Sequence, residues 1–107
     1  MRAALFHHPG LMKFTYGADH PFQLERLGDM LRLCRALGLL PRGESPRSFP
    51  PASREDLERF HGSSYLDALA MALDLPHRER LPWCLGTSDN PIFGGLWDAC
   101  LLTAGGS

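Results

Sequence analysis

Histidines and cysteines are the residues of this chain whose chemistry would best suit metal binding or catalysis. The five histidines include the adjacent pair His7-His8, whose rings would face opposite sides of a strand and so could not bind one ion together. The three cysteines lie far apart, and the chain has no C-x-x-C, H-E-x-x-H or Asp-x-His spacing. We therefore expect no metal site from these spacings, and we interpret the histidine pair as lining a turn. Sparse, unpaired cysteines are typical of a reduced cytoplasmic protein.

The first of two polar segments precedes a predicted helix. It covers residues 16–21, with the sequence YGADHP. Asp19 is of a type that caps helix N-termini, and Pro21 is of a type found in the first helical turn. Arg26 follows one turn into the helix, where an isolated arginine is normally solvated. Taken alone, the segment is best interpreted as a capped loop.

The second polar segment covers residues 85–91, with the sequence LGTSDNP, and it has two interpretations. In one, Asp89 or Asn90 helps to start the final helix. In the other, Asp89 is a carboxylate on a rim loop that accepts hydrogen bonds from backbone N–H groups of a substrate. The physical chemistry of the sequence does not separate these two interpretations.

The spacing of apolar residues predicts the helices and the strand that must position these two polar segments. The predicted helices cover residues 22–37, 53–61, 64–73 and 93–104, and a short strand covers residues 3–6. Ser53 and Asp56 have the spacing of a capping box, and Ser64 and Asp67 repeat it. Residues 75–92 show no regular period, so we expect a long loop there. The final helix has the clearest apolar face, formed by Phe93, Leu96, Trp97, Cys100, Leu101 and Ala104.

Composition restricts the classes of protein to consider. The 107 residues suit one small domain, and the net charge of −1 argues against a general nucleic-acid or anionic-membrane surface. The chain has no Val and a single Ile, which argues against a sheet-rich segment. No run of 18 apolar residues is present, and the N-terminal apolar run is too short for a signal peptide. We expect a soluble cytoplasmic chain.

Five motifs in order resemble the N-terminal part of the histone deacetylase superfamily, and the similarity is greatest to its bacterial acetoin-utilisation branch. Each motif alone is weak, but their common order and spacing across the chain make the resemblance specific. The matching segments are Tyr16-Gly17-x-Asp19-His20-Pro21-Phe22-x-x-x-Arg26; Leu37-Gly38-Leu39-Leu40; Glu55-Asp56-Leu57-x-x-Phe60-His61-x-x-x-Tyr65-Leu66; Leu85-Gly86-Thr87-x-Asp89-Asn90-Pro91-x-Phe93-x-Gly95; and Leu102-x-Ala104-Gly105-Gly106-Ser107.

The resemblance implies an α/β fold like that of arginase, with a parallel sheet between helices, of which this segment would be mostly helical with one or two short strands. It also implies a zinc-dependent deacetylase, in which two Asp and one His hold the Zn²⁺, a His pair moves protons and a Tyr stabilises the oxyanion. Asp89 matches the rim residue that grips the substrate backbone. Arg26 matches the arginine of an inner cavity linked to acetate exit, and Tyr16, Gly17 and His20 match the loop that lines it.

The motif order also predicts that residues 1–107 are about the first third of the family domain, with the remainder absent. The metal ligands, catalytic His pair and catalytic Tyr would then lie outside this segment, so we expect no catalytic residue, no bound zinc and no activity from the chain alone. The substrate of the complete form would be acetyl-lysine or a related small amide. The alternative is a small helical interaction module that binds a partner through an exposed Trp97 stripe. We also expect exposed apolar helix faces, including Phe93, Trp97 and Leu101, to favour self-association.

Overall fold

The computed structural model describes residues 3–40 and 42–107, which form mainly helices. The α-helices are α1 (Glu25–Ala36), α2 (Arg54–Glu58), α3 (Ser63–Ala70), α4 (His77–Arg80) and α5 (Leu96–Gly105), with 3-10 helices at Pro9–Lys13 and Leu81–Trp83. In these ranges β pairing is limited to one parallel bridge between Phe6 and Arg47. The predicted strand therefore contributes only this bridge. The mainly helical character agrees with the expectation for the segment.

Helix α1 begins later than predicted. Its N-cap is Leu24, which makes no side-chain capping bond, so the predicted roles of Asp19 as N-cap and Pro21 as first-turn residue are wrong. The residues before α1 form a loop that is held by its own hydrogen bonds and aromatic contacts. The end of α1 was predicted correctly, because Gly38 follows it with a φ of +70°, a conformation that favours glycine.

A capping box starts α2 as predicted. The hydroxyl of Ser53 accepts from the backbone N–H of Asp56 at 3.1 Å, and the Asp56 carboxylate accepts from the backbone N–H of Ser53 at 3.0 Å. The repeated spacing at Ser64 and Asp67 does not form a second box, because the N-cap of α3 is Gly62. Asp67 instead accepts a hydrogen bond from Arg54 at 2.7 Å, which joins α2 to α3.

Helix α5 starts at Leu96, three residues after the predicted start, because Gly95 takes a left-handed conformation with a φ of +82°. The buried residues of α5 are Leu96, Ala99 and Leu102, whereas Trp97 is only half-buried. The predicted apolar face is therefore rotated relative to the buried one. The physical reason is that α5 packs against α3 and also against the first 3-10 helix, so more than one of its faces is covered.

The segment expected to be a long loop contains α4 and the second 3-10 helix. A hydrogen bond of 3.3 Å from the Arg80 guanidinium to the carbonyl oxygen of Ala72 connects this segment to the turn after α3. Leu85 then enters the main core, where it packs with residues of α3, the turn after it and α5: Ala68, Leu69, Ala72 and Leu96. The loop that carries Asp89 therefore begins at a residue, Leu85, that is held in the core.

No helix in the described ranges is both long enough and apolar enough to cross a membrane.

Candidate functional site

An open cleft of about 380 Å³ lies between the two polar segments. Residues 16–21 form one wall, and Ser88 and Asp89 form the other. Four of the predicted site residues line it, namely Tyr16, Gly17, His20 and Asp89. Arg26 lies exposed on the first turn of α1 and is not a lining residue of the cleft. The fold therefore brings together two segments that are far apart in the chain.

Tyr16 anchors its wall of the cleft through aromatic contacts. Its ring stacks on His20 with a centroid separation of 5.0 Å and an interplanar angle of 24°. It also meets the edges of Phe22 at 5.5 Å and Phe93 at 5.1 Å, and such pairs stabilise beyond simple burial. Burial raises the pKa of Tyr16, and the nearby Cys100 raises it further. The hydroxyl consequently stays protonated at neutral pH and remains a hydrogen-bond donor.

The imidazole of His20 has a defined hydrogen-bonding role. Its Nδ1 accepts from the backbone N–H of Phe22 at 3.1 Å. In a neutral ring that accepts at Nδ1, the proton is on Nε2. The ring therefore has one N–H donor left for a ligand, while stacking on Tyr16 holds its plane.

Gln23 is a site residue that the sequence analysis missed. Its Nε2 lies 3.2 Å from the carbonyl oxygens of both Gly17 and Ala18, and 2.5 Å from that of His20. The amide thus connects the start of α1 to the backbone of the cleft wall. No local sequence motif indicates this contact, because it depends on how the loop folds back over residue 23.

The opposite wall is a compact turn that presents Asp89. The backbone N–H of Gly86 donates to the carbonyl of Asn90 at 2.8 Å, and the Thr87 hydroxyl accepts from the Asn90 N–H at 3.1 Å. Neither Asp89 nor Asn90 caps α5, whose N-cap is Gly95 with no side-chain capping bond. The helix-starting interpretation is therefore wrong. The carboxylate of Asp89 is exposed at the rim of the cleft.

A second, mostly apolar cavity of about 270 Å³ lies between α2, α3 and α5, and Tyr16 lines it too. Burial raises the pKa of Cys100 there. It also raises the pKa of Tyr65, with smaller contributions from Cys100 and Cys84. Tyr16, Tyr65 and Cys100 are therefore protonated at neutral pH and offer hydroxyl and thiol donors to this cavity, which no carboxylate of the described residues lines.

The described residues do not fit the zinc centre that the resemblance implies. Nowhere in residues 3–40 and 42–107 does a group of three or more His, Cys, Asp or Glu side chains come close enough to hold a metal ion. His8 instead caps the first 3-10 helix, since its Nδ1 accepts from the N–H of Gly10 at 3.0 Å. Burial lowers the pKa of His7, and its neighbour His8 lowers it further. The pair thus lines a turn, as predicted.

Comparison with known proteins gives the family. The model of the histone deacetylase domain matches residues 20–107. The chain belongs to the histone deacetylase family. Histone deacetylase RPD3 of Saccharomyces cerevisiae is 31% identical over 110 residues, which cover 99% of this chain and 25% of RPD3. The acetoin utilization protein AcuC of Bacillus subtilis is 32% identical over 112 residues, which cover 100% of this chain and 28% of AcuC.

A plant relative extends the same pattern. Histone deacetylase 6 of Arabidopsis thaliana is 32% identical over 112 residues, covering 99% of this chain and 23% of its own length. The chain thus spans about a quarter of the length of these curated relatives. The family resemblance inferred from the five motifs is confirmed. His20, Arg26 and Asp89 lie inside the range that the family model matches, and their roles stay predictions.

Proposed function

We propose that this chain is the N-terminal part of a hydrolase of the histone deacetylase family, which removes acetyl groups from acetyl-lysine or a related small amide. In this proposal the cleft between residues 16–21 and Asp89 holds the substrate backbone beside the reacting group. The supporting observation is that the rim carboxylate and the Tyr16–His20 loop face one cleft. We propose a bacterial protein from the resemblance to the acetoin-utilisation branch, and a cytoplasmic one from its sparse, unpaired cysteines.

Asp89 provides the main polar contact in this proposal. An exposed carboxylate with no capping duty is free to accept charge-assisted hydrogen bonds from substrate N–H groups. The neutral Tyr16 hydroxyl and the His20 Nε2–H are donors on the facing wall. Gly17 has a φ of +101°, which lets the wall turn without a side chain entering the cleft. From the resemblance we also assign Arg26, Tyr16, Gly17 and His20 to the inner region through which acetate leaves, although Arg26 is exposed and does not line the cleft with the other three.

In the complete family domain a bound zinc ion would supply Lewis-acid chemistry. In our proposal its ligands, the proton-transferring His pair and the oxyanion-stabilising Tyr are supplied by parts of the family domain that this chain does not contain. The 107-residue chain would then bind substrate weakly without hydrolysing it. Stoichiometric tight zinc together with acetate release from an acetyl-lysine peptide would overturn that part of the proposal.

The binding part is tested by titrating the ¹⁵N-labelled chain with an acetyl-lysine peptide and following backbone amide shifts. We expect shifts in residues 16–21 and 86–90. Loss of a hydrogen bond to a charged group costs about 1.5–3 kcal/mol, so Asp89→Ala should weaken binding roughly 10- to 100-fold. Asp74→Ala is the matched control, because Asp74 is exposed and lies outside the cleft. Equal affinities of both variants, or no shifts at all, would refute the assignment of the cleft.

The interaction-module alternative relied on an exposed Trp97 stripe, which the structure does not provide. Trp97 is half-buried and packs against the main core with Phe93. Among the exposed apolar side chains, Met30 and Leu33 of α1 and its C-cap Leu37 share one face. We propose that self-association uses this face. Sedimentation velocity should show concentration-dependent oligomers that Leu33→Lys reduces, and a monomer at all concentrations would contradict the idea.

A further inference from the structure

The carbonyl groups of the cleft loop converge on one side chain. Gln23 Nε2 lies within 3.2 Å of the carbonyl oxygens of Gly17 and Ala18 and within 2.5 Å of that of His20. Three carbonyl dipoles directed at one point repel each other unless a donor lies between them. An amide nitrogen carries two N–H donors, so these donors are fully occupied by the loop.

Besides the aromatic contacts of Tyr16 and the backbone hydrogen bond that His20 Nδ1 accepts, the loop has two short-range hydrogen bonds that involve Gly17. Its backbone–backbone closure is a 3.3 Å hydrogen bond from the His20 N–H to the Gly17 carbonyl, and the Thr15 hydroxyl accepts from the Gly17 N–H at 3.1 Å. Gly17 is exposed, with a φ of +101°, and glycine also allows many competing conformations. The backbone of Gly17 is not fixed by these contacts alone, so the amide of Gln23 contributes to selection of the observed shape.

We propose that Gln23 is a positioning residue of the cleft. Its amide donates to the loop carbonyls and thereby holds His20 against Tyr16 in the orientation that faces Asp89. Gln23 is half-buried and immediately precedes Leu24, which is buried, so its backbone is fixed by the start of α1. The hydrogen bonds from the Gln23 amide therefore fix the position of the loop relative to α1. The importance of this positioning for substrate binding rests on the proposed function of the cleft. The hydrogen bonds of Gln23 to the loop do not depend on that function.

The test compares two variants that keep the size of the side chain. Gln23→Met keeps the apolar volume and removes both donors, and Gln23→Glu directs carboxylate oxygens at the carbonyls. We expect both to abolish the ring-current shift that stacking on Tyr16 gives the His20 ring protons in NMR spectra. We also expect exchange of the His20 amide to accelerate about fivefold, the effect of losing one net hydrogen bond of about 1 kcal/mol. Glu25→Met, two residues further on and exposed, is the control and should leave both signals unchanged.

Each outcome decides the inference. If Gln23→Met keeps the wild-type His20 ring shift, then Gln23 acts only by packing and the proposal is wrong. It is also wrong if the variants accelerate exchange equally in the loop and in α3 and α5, because the role would then be general stability. Failure of the wild-type chain to bind the acetyl-lysine peptide, with loop signals intact and sensitive to Gln23→Met, would refute the proposed function of the cleft and support the positioning role.

Discussion

Replacing Gly105 by alanine tests how closely α5 approaches the chain that precedes α2. A Cβ at position 105 would lie 2.2 Å from the Pro50 carbonyl oxygen and 2.8 Å from the Ala52 nitrogen. These are backbone atoms, which cannot rotate away. The same segment is held by a hydrogen bond of 2.9 Å from the Ala52 N–H to the Leu101 carbonyl. The methyl group therefore forces the two backbones apart at a point where they are bonded to each other.

Three contributions determine the expected change in the free energy of unfolding. Alanine in place of glycine within a helix stabilises by about 1 kcal/mol. Overpacking costs about 1–3 kcal/mol, and losing the Ala52–Leu101 hydrogen bond costs about 1 kcal/mol. We thus expect Gly105→Ala to lower the free energy of unfolding by about 2 kcal/mol, which lowers the melting temperature by on the order of 10 °C.

Urea denaturation followed by tryptophan fluorescence measures the global effect, and exchange of the Ala52 amide measures the local one. Gly94→Ala is the matched control, because a Cβ there would meet no heavy atom within 4 Å and its φ is not positive. We expect the control to stay within about 0.5 kcal/mol of the wild type. A Gly105→Ala chain as stable as the wild type, or more stable by the helix-propensity gain, would refute the close approach.

Three further predictions concern the turn before α5, the capping box and the thiols. Gly95→Ala should lower the free energy of unfolding by about 1–2 kcal/mol, because residue 95 has a left-handed φ. The variant should therefore have a lower melting temperature. Hydrogen bonds from the backbone N–H of Ser53 and, second, from its hydroxyl lower the pKa of Asp56 from its usual value. The stabilisation of α2 by the ionised Asp56 carboxylate is complete above the unfolded-state pKa and is lost as the pH falls through the lower folded-state pKa. Protection of the α2 amides from exchange should therefore fall at acid pH in the wild type. It should not fall in this way in Asp56→Asn. Iodoacetamide should label exposed Cys84 before Cys100, whose pKa is raised by burial; equal rates would contradict this.

Interactions that span a few residues were predictable from the sequence. The capping box at Ser53 and Asp56 involves four consecutive residues, and the stop of α1 at Gly38 depends on one residue's backbone freedom. The failure at Asp19 has a physical reason as well. A capping side chain competes with every other contact of its segment, and here the aromatic contacts of Tyr16 and the amide of Gln23 fold the loop differently.

Contacts between distant segments decided the rest. The family and the identity of candidate residues such as Asp89 and His20 followed from residue types in order along the chain. Their placement on one cleft did not, since it requires α1 and α5 both to pack against the first 3-10 helix before the two loops can meet. Likewise the buried side of α5 was set by the elements around it and not by its own periodicity. Local propensity acts over one or two turns of chain, whereas a cleft exists only where packing has joined its walls.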